Sequence, residues 1–172
     1  NRYNTSVHTY NKTNCDIRNE AVKTIYLQNQ AEIYFGTDMG FYKLNMEDEE
    51  IEKFYHNPFN QYSITSNEVW DIVPDRKGEL WLATSNGISR LKTSVDFFKY
   101  YPVYFKESGE SVGTRVSDVS FDSSGTCWVA TSNGLVSLSE YREDYEEYLT
   151  SFDNLALSTS NISALSFDHK NR

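Results

Sequence analysis

A chain of 172 residues, 38% hydrophobic and 15% aromatic, has the length and apolar content to bury a core, which excludes a disordered segment. Its formal net charge of −9 and pI near 4.8 exclude a nucleic-acid partner, because affinity for a polyanion rests on Lys and Arg neutralising phosphates. No apolar run approaches the roughly 18 to 20 residues of a bilayer span, and the chain opens at Asn1 rather than on a basic, then apolar, signal segment, so no membrane contact is expected of it.

Thirteen Tyr, ten Phe and three Trp favour strands, since ring-bearing side chains pack well on a pleated surface, and an all-β class follows. In chain order, Val7-His8-Thr9-Tyr10 within residues 1–10 reads as the outermost strand of a preceding unit. From residue 20 onward the chain repeats itself. Gly36-Thr37-Asp38-Met39-Gly40-Phe41 returns as Ala83-Thr84-Ser85-Asn86-Gly87-Ile88 and again as Ala130-Thr131-Ser132-Asn133-Gly134-Leu135, each step 47 residues. Val22, Val69 and Val116 fall in the same register, as do Tyr34, Trp81 and Trp128, and Leu44, Leu91 and Leu138.

The first unit, 20–55, carries Gln28-Asn29-Gln30-Ala31 where the later units have an acidic turn with Gly, and Tyr34 where they have Trp. Its run Glu47-Asp48-Glu49-Glu50 reads as a solvated hairpin between third and fourth strands; the ordered alternation of a calcium loop is absent. The connection His56-Asn57-Pro58-Phe59-Asn60-Gln61-Tyr62 is aromatic enough to meet a ligand or a protein partner. The second unit, 67–101, divides into Val69 to Val73, a tight turn at Asp75-Arg76-Lys77-Gly78, Leu80 to Ala83, a turn at Ser85-Asn86-Gly87, Ile88 to Leu91, and Phe97 to Tyr101. Asn followed by Gly supplies the positive φ of a tight hairpin. The third unit, 114–148, repeats this, although Tyr141, Tyr145 and Tyr148 also fit a helical spacing; alignment of Tyr145 with Phe98 and Tyr148 with Tyr101 favours a strand. Residues 161–172 open a further unit, with Phe167-Asp168 matching Phe121-Asp122.

A period of 47 residues with four strands per unit is the signature of a β-propeller: three complete four-stranded antiparallel blades with partial flanking strands. One bulky ring per blade, Tyr34, Trp81 or Trp128, fills the seam against the neighbouring blade. Three blades are fewer than the roughly four of a closed ring, so the remaining blades of the same parent chain are expected partners and the segment alone is expected to associate.

Little in the chain suggests chemistry. Cys15 and Cys127 have no disulfide or metal spacing, the sequons at Asn4, Asn11 and Asn161 do not fix a compartment, and His8, His56 and His169 lie in different units. No Gly-rich phosphate loop or nucleophile elbow is present, so no catalytic residue, metal or cofactor is assigned. Ligands of propellers meet the loops at one end of the central channel. The residues there are Asn67 and Trp70 entering the second blade, Arg115 entering the third, and the turn residues Ser85, Asn86, Ser132 and Asn133. Trp70 aligns with Lys23, Ser117 and Ser163, so packing does not demand an indole at that position.

The pattern Asp75-x-x-Gly78-x-Leu80-Trp81-x-Ala83-Thr84-x-Asn86-Gly87-Ile88-x-Arg90-Leu91, followed by Phe97-Phe98-x-x-Tyr101, resembles the two-component regulator propeller repeat, as does Asp122-x-x-Gly125-x-x-Trp128-x-Ala130-Thr131-x-Asn133-Gly134-Leu135. The resemblance implies the periplasmic sensor region of a hybrid two-component histidine kinase of the Bacteroides type, with an oligosaccharide released from polysaccharide as ligand, kinase activity elsewhere in the parent, and a homodimer of that parent. Two rivals are weighed. One is an interaction or dimerisation scaffold. The other is a sialidase-type hydrolase, disfavoured because its aspartate box puts one residue between Asp and Gly where two stand here, and because the arginines are scattered.

Overall fold

The computed structural model describes residues 20–93, 97–101, 115–132, 134–138 and 161–168. Eleven strands and no helix occur among them. β1 (Val22–Leu27), β2 (Glu32–Thr37), β3 (Phe41–Asn45) and β4 (Ile51–Phe54) form one antiparallel sheet in sequence order. β5 (Val69–Pro74), β6 (Leu80–Thr84), β7 (Gly87–Lys92) and β8 (Phe97–Tyr101) form a second of the same order. β9 (Val116–Phe121), β10 (Cys127–Thr131) and β11 (Gly134–Leu138) form a third. The expected fourth strand of that blade, with its helical alternative, and the expected strand in residues 1–10 lie outside the described residues. The all-β propeller architecture stands, with two blades of four strands and one described through three. No helix among the described residues is long and apolar enough to cross a membrane.

The second sheet buries both faces, as a blade between two neighbours does. The strand period of two sends Leu82 and Leu91 to one side of the second blade, where they join Tyr34, Phe41 and Ile64 in one cluster. Trp81 and Ile88 go to the other side, joining Val119, Val129 and Val136. First strands β1, β5 and β9 lie side by side along the inner edge. The repeated ring fills the seam as expected: Trp81 meets Phe121 of the next blade edge-on at 5.7 Å, and Trp128 meets Phe167 at 6.1 Å. Residues 161–168 sit where a following inner strand belongs, with Ile162 N–H donating to Thr131 O at 3.0 Å and Leu165 N–H to Asp118 Oδ2 at 2.6 Å.

The turn between first and second strands is built alike in all three blades. Asp75 N–H donates to Glu79 O at 2.9 Å and Asp122 N–H to Thr126 O at 3.0 Å; Gln28 N–H donates to Glu32 O at 3.0 Å although the first blade lacks the motif. Gly78, at φ 80°, completes a three-residue loop that a Cβ would strain. Asp75 Oδ1 accepts from the amides of Lys77 and Glu79, and Oδ2 from Trp81 Nε1 at 3.1 Å and Arg90 at 3.0 Å. Asp122 does the same for its own turn and for Trp128 Nε1 at 3.0 Å. In the first blade Asn29 Oδ1 takes over, accepting from Ala31 and Glu32. The motif is therefore one device, a turn cap whose second oxygen also satisfies the indole N–H that seam burial would orphan.

The opposite hairpin is shorter than the sequence suggests. Thr84 pairs with Gly87, so the loop is Ser85-Asn86 and Gly87 belongs to β7. Its threonine column is buried and bonds the carbonyl across the turn: Thr37 to Gly40 at 3.0 Å, Thr84 to Gly87 at 2.8 Å and Thr131 to Gly134 at 2.7 Å.

Candidate functional site

The register of each inner strand slips by one residue near its start. Val22 pairs with Thr37 but Thr24 with Gly36; Val69 pairs with Thr84 but Asp71 with Ala83; Val116 pairs with Thr131 but Asp118 with Ala130. Lys23, Trp70 and Ser117 are thus the extra residues of three equivalent β-bulges. A bulge re-aims the side chain it releases from the ladder. This accounts physically for the variable column at Trp70: seam packing does not govern the position.

Trp70 gathers neighbours from two other blades. Lys23 Nζ lies 3.3 Å and Arg115 Cζ 3.9 Å from the indole centroid, both cation–π distances. Trp70 Nε1 donates to Ser85 Oγ at 3.0 Å, and Ser85 Oγ donates in turn to Glu68 Oε2 in a short contact. Glu68 Oε1 holds Lys23 Nζ at 2.7 Å. The hydrogen bonds from Lys23 and Ser85, with the Lys23 and Arg115 charges, hold the Glu68 carboxyl below the usual range despite partial burial. Ser85 N–H donates to Glu68 O and Ser132 N–H to Arg115 O, both at 3.1 Å, so each two-residue turn is fastened to the inner strand beside it.

Of the residues singled out in the sequence, Trp70, Ser85 and Arg115 come together, and Ser132 is tied to Arg115 through the backbone. Asn67 is exposed and its Oδ1 accepts from His56 N–H at 2.6 Å, while Asn86 donates to Thr65 O at 3.4 Å; each is committed to the connection that leads into the second blade. Asn133 lies outside the described residues. Lys23 and Glu68 were missed, being charged residues at positions that read as solvated; the signal available was that Lys23 shares the Trp70 column.

Deeper on the same strands, Asp71 and Asp118 meet in hydrogen-bond contact between neighbouring blades, 47 residues apart. Asp71 also accepts from Thr24 Oγ1 and from Val119 N–H, each at 3.4 Å. Burial and the adjacent Asp118 carboxylate push the Asp71 carboxyl up to about 7. Elsewhere the groups that do chemistry are consumed by structure. Cys127 is buried in the seam, which pushes its thiol up and leaves it inert, and His56 Nδ1 faces Ile64 O at 2.8 Å. No cluster of three metal-ligating side chains occurs among the described residues. The acidic hairpin is Asx-capped by Asn45 and Asp48 and borders a shallow hollow with Glu32, Lys43 and Glu52, at the end of the first blade opposite Lys23.

Residues 63–86 match the family model of the two component regulator propeller. The extracellular domain of a hybrid two component system from B. thetaiotaomicron superimposes with a TM-score of 0.64 at 22% identity, over 77% of this chain and 19% of that one. A catalytically inactive virginiamycin B lyase from Staphylococcus aureus, crystallised with quinupristin, gives 0.66 at 15% identity over 92% and 49%. A streptogramin B lyase gives 0.54 at 18% over 74% and 40%. These likenesses establish the propeller fold, and the chain spans about a fifth of the B. thetaiotaomicron domain. No curated protein matches the chain in sequence.

Proposed function

We propose that the chain is an extracytoplasmic sensor segment of a hybrid two-component signalling protein, which recognises a polysaccharide-derived oligosaccharide at the Trp70 end of its inner strands and regulates use of that polysaccharide. The regulator-propeller match at 63–86 and the likeness to an extracellular two component domain support the signalling context. The observation that carries the site is the bulged Trp70 with Lys23, Glu68, Ser85 and Arg115 converging on it from three blades. Such an arrangement suits binding: it offers donors, and the carboxylate that accepts from the Ser85 hydroxyl is held below its usual range by Lys23 and Ser85, which makes it a weak base toward that hydroxyl. The lyase neighbours carry the same fold with catalysis, so the fold does not select between sensing and chemistry.

The test is a thermal-shift screen of the intact protein against a panel of oligosaccharides, since a ligand that binds only the folded state raises its apparent stability. A selective rise in Tm, reduced by Trp70→Ala or Arg115→Ala, supports the sensor. No rise with any sugar in a folded protein moves the function to the scaffold reading. The scaffold draws on a separate surface, where Phe59 is 97% exposed beside the exposed Tyr55 and Tyr62.

A further inference from the structure

The oligosaccharide reading leaves the class of sugar open, and the cation arrangement around Trp70 narrows it. We propose that the ligand is an acidic oligosaccharide, carrying carboxylate or sulfate groups, and that Arg115 is the group that binds its anion. This rests on the sensor reading above and goes beyond it.

Three observations lead there. Lys23 and Arg115 already lie against the indole at contact distance, so a sugar stacking on the ring would have to displace a cation. The indole is better understood as the bracket that holds the cations in place. Next, the Glu68 carboxylate is spent within the cluster, one oxygen on Lys23 and the other on Ser85. Lys23 and Glu68 therefore cancel. Last, Arg115 is exposed, and although its charge is felt by the Glu68 carboxylate, the two form no ion pair: the oxygens of Glu68 are taken by Lys23 and Ser85. The Arg115 backbone carbonyl is fixed by Ser132 N–H and its guanidinium plane by Trp70, which leaves an oriented fork of N–H donors facing solvent. A fork fixed in this way suits two oxygens of one carboxylate or sulfate, and the rotamer entropy that an exposed arginine loses on binding is already partly lost.

The test is calorimetric titration of the intact protein with four probes: oligogalacturonate, the same oligosaccharide fully methyl-esterified, sulfated dextran oligosaccharide and unmodified dextran oligosaccharide. The expected result is that at least one acidic probe binds about tenfold or more tightly than its neutral counterpart, the worth of a charge-assisted hydrogen-bonded pair. That preference should weaken with added salt, disappear in Arg115→Gln and return only in part in Arg115→Lys, which keeps the charge but not the fork. Whether oligogalacturonate or the sulfated probe shows the preference tells carboxylate from sulfate. Equal binding of acidic and neutral probes, or a preference that survives Arg115→Gln, overturns the acidic-ligand proposal while leaving the oligosaccharide sensor intact. No binding by any probe overturns both.

Discussion

At the residue scale, the recurring Asp and Trp of each blade form one hydrogen-bonded unit, and its removal is costly. Asp75 is buried and serves two turn amides, an indole and the Arg90 guanidinium, which also pairs with Glu79 at 2.6 Å. Asp75→Ala should destabilise the intact protein by about 3 kcal/mol in urea unfolding, because the buried Trp81 indole N–H is left without its acceptor, two turn amides lose their cap, and Arg90 loses one of its partners. Asp122 is more exposed; hydrogen bonds from Ser124, Trp128 and Thr126 outweigh its desolvation and hold its carboxyl down at about 2. A depressed carboxyl stabilises above its unfolded value near 4, and that contribution is lost as pH falls through about 2. Gly36 is the small residue where β2 crosses the neighbouring β5: a Cβ there would stand 2.6 Å from Val69 Cγ1. Gly36→Ala should therefore cost about 1–3 kcal/mol by overpacking, and Gly36→Val more, read in the same unfolding measurement.

At the scale of elements, the inner strands carry both the fold's pH response and the candidate site. Asp71 on β5 and Asp118 on β9 confront each other across a seam, with Thr24 of β1 on the other side. Because the folded Asp71 value of about 7 exceeds the unfolded value near 4, the folded state binds the extra proton in that window. Stability from this pair is fully present below about pH 4 and declines as pH rises to about 7. Asp71→Asn should flatten that slope in a series of thermal melts; an unchanged slope would mean that the two carboxyls do not interact. The strands themselves were legible in the sequence because a period of 47 with Asn-Gly turns leaves few alternatives. Placement of the first blade's turn was not, since Asn29 does the capping of Asp75 from one position further along. The bulges were equally hidden: a slip of one residue leaves no compositional mark, and only the mismatch of Lys23, Trp70 and Ser117 in an otherwise uniform repeat hinted at a position released from packing.

At the scale of the whole molecule, the first blade shows what an uncovered seam looks like. Ile25 on β1 is 67% exposed, whereas its counterparts Ile72 and Val119 are 5% and 1% exposed against a neighbouring blade. In sedimentation the 172-residue chain should self-associate, and Ile25→Asp should reduce that association, because an exposed apolar strand face gains by burial against a second copy. The site is also a property of the assembly of blades: Lys23, Trp70 and Arg115 come from three successive inner edges, so it exists only when the blades are stacked. That is why Arg115 could be nominated from its loop position while Lys23 and Glu68 could not; their roles depend on a neighbour 45 residues away or more. The most direct test of the account is the hydrogen-exchange footprint of the intact protein with and without the sugar that gives the largest thermal shift. Protection confined to residues 67–70, 85–86 and 115–117 is the predicted result; protection at the 55–62 connection or the acidic hairpin, with no change around Trp70, would contradict it.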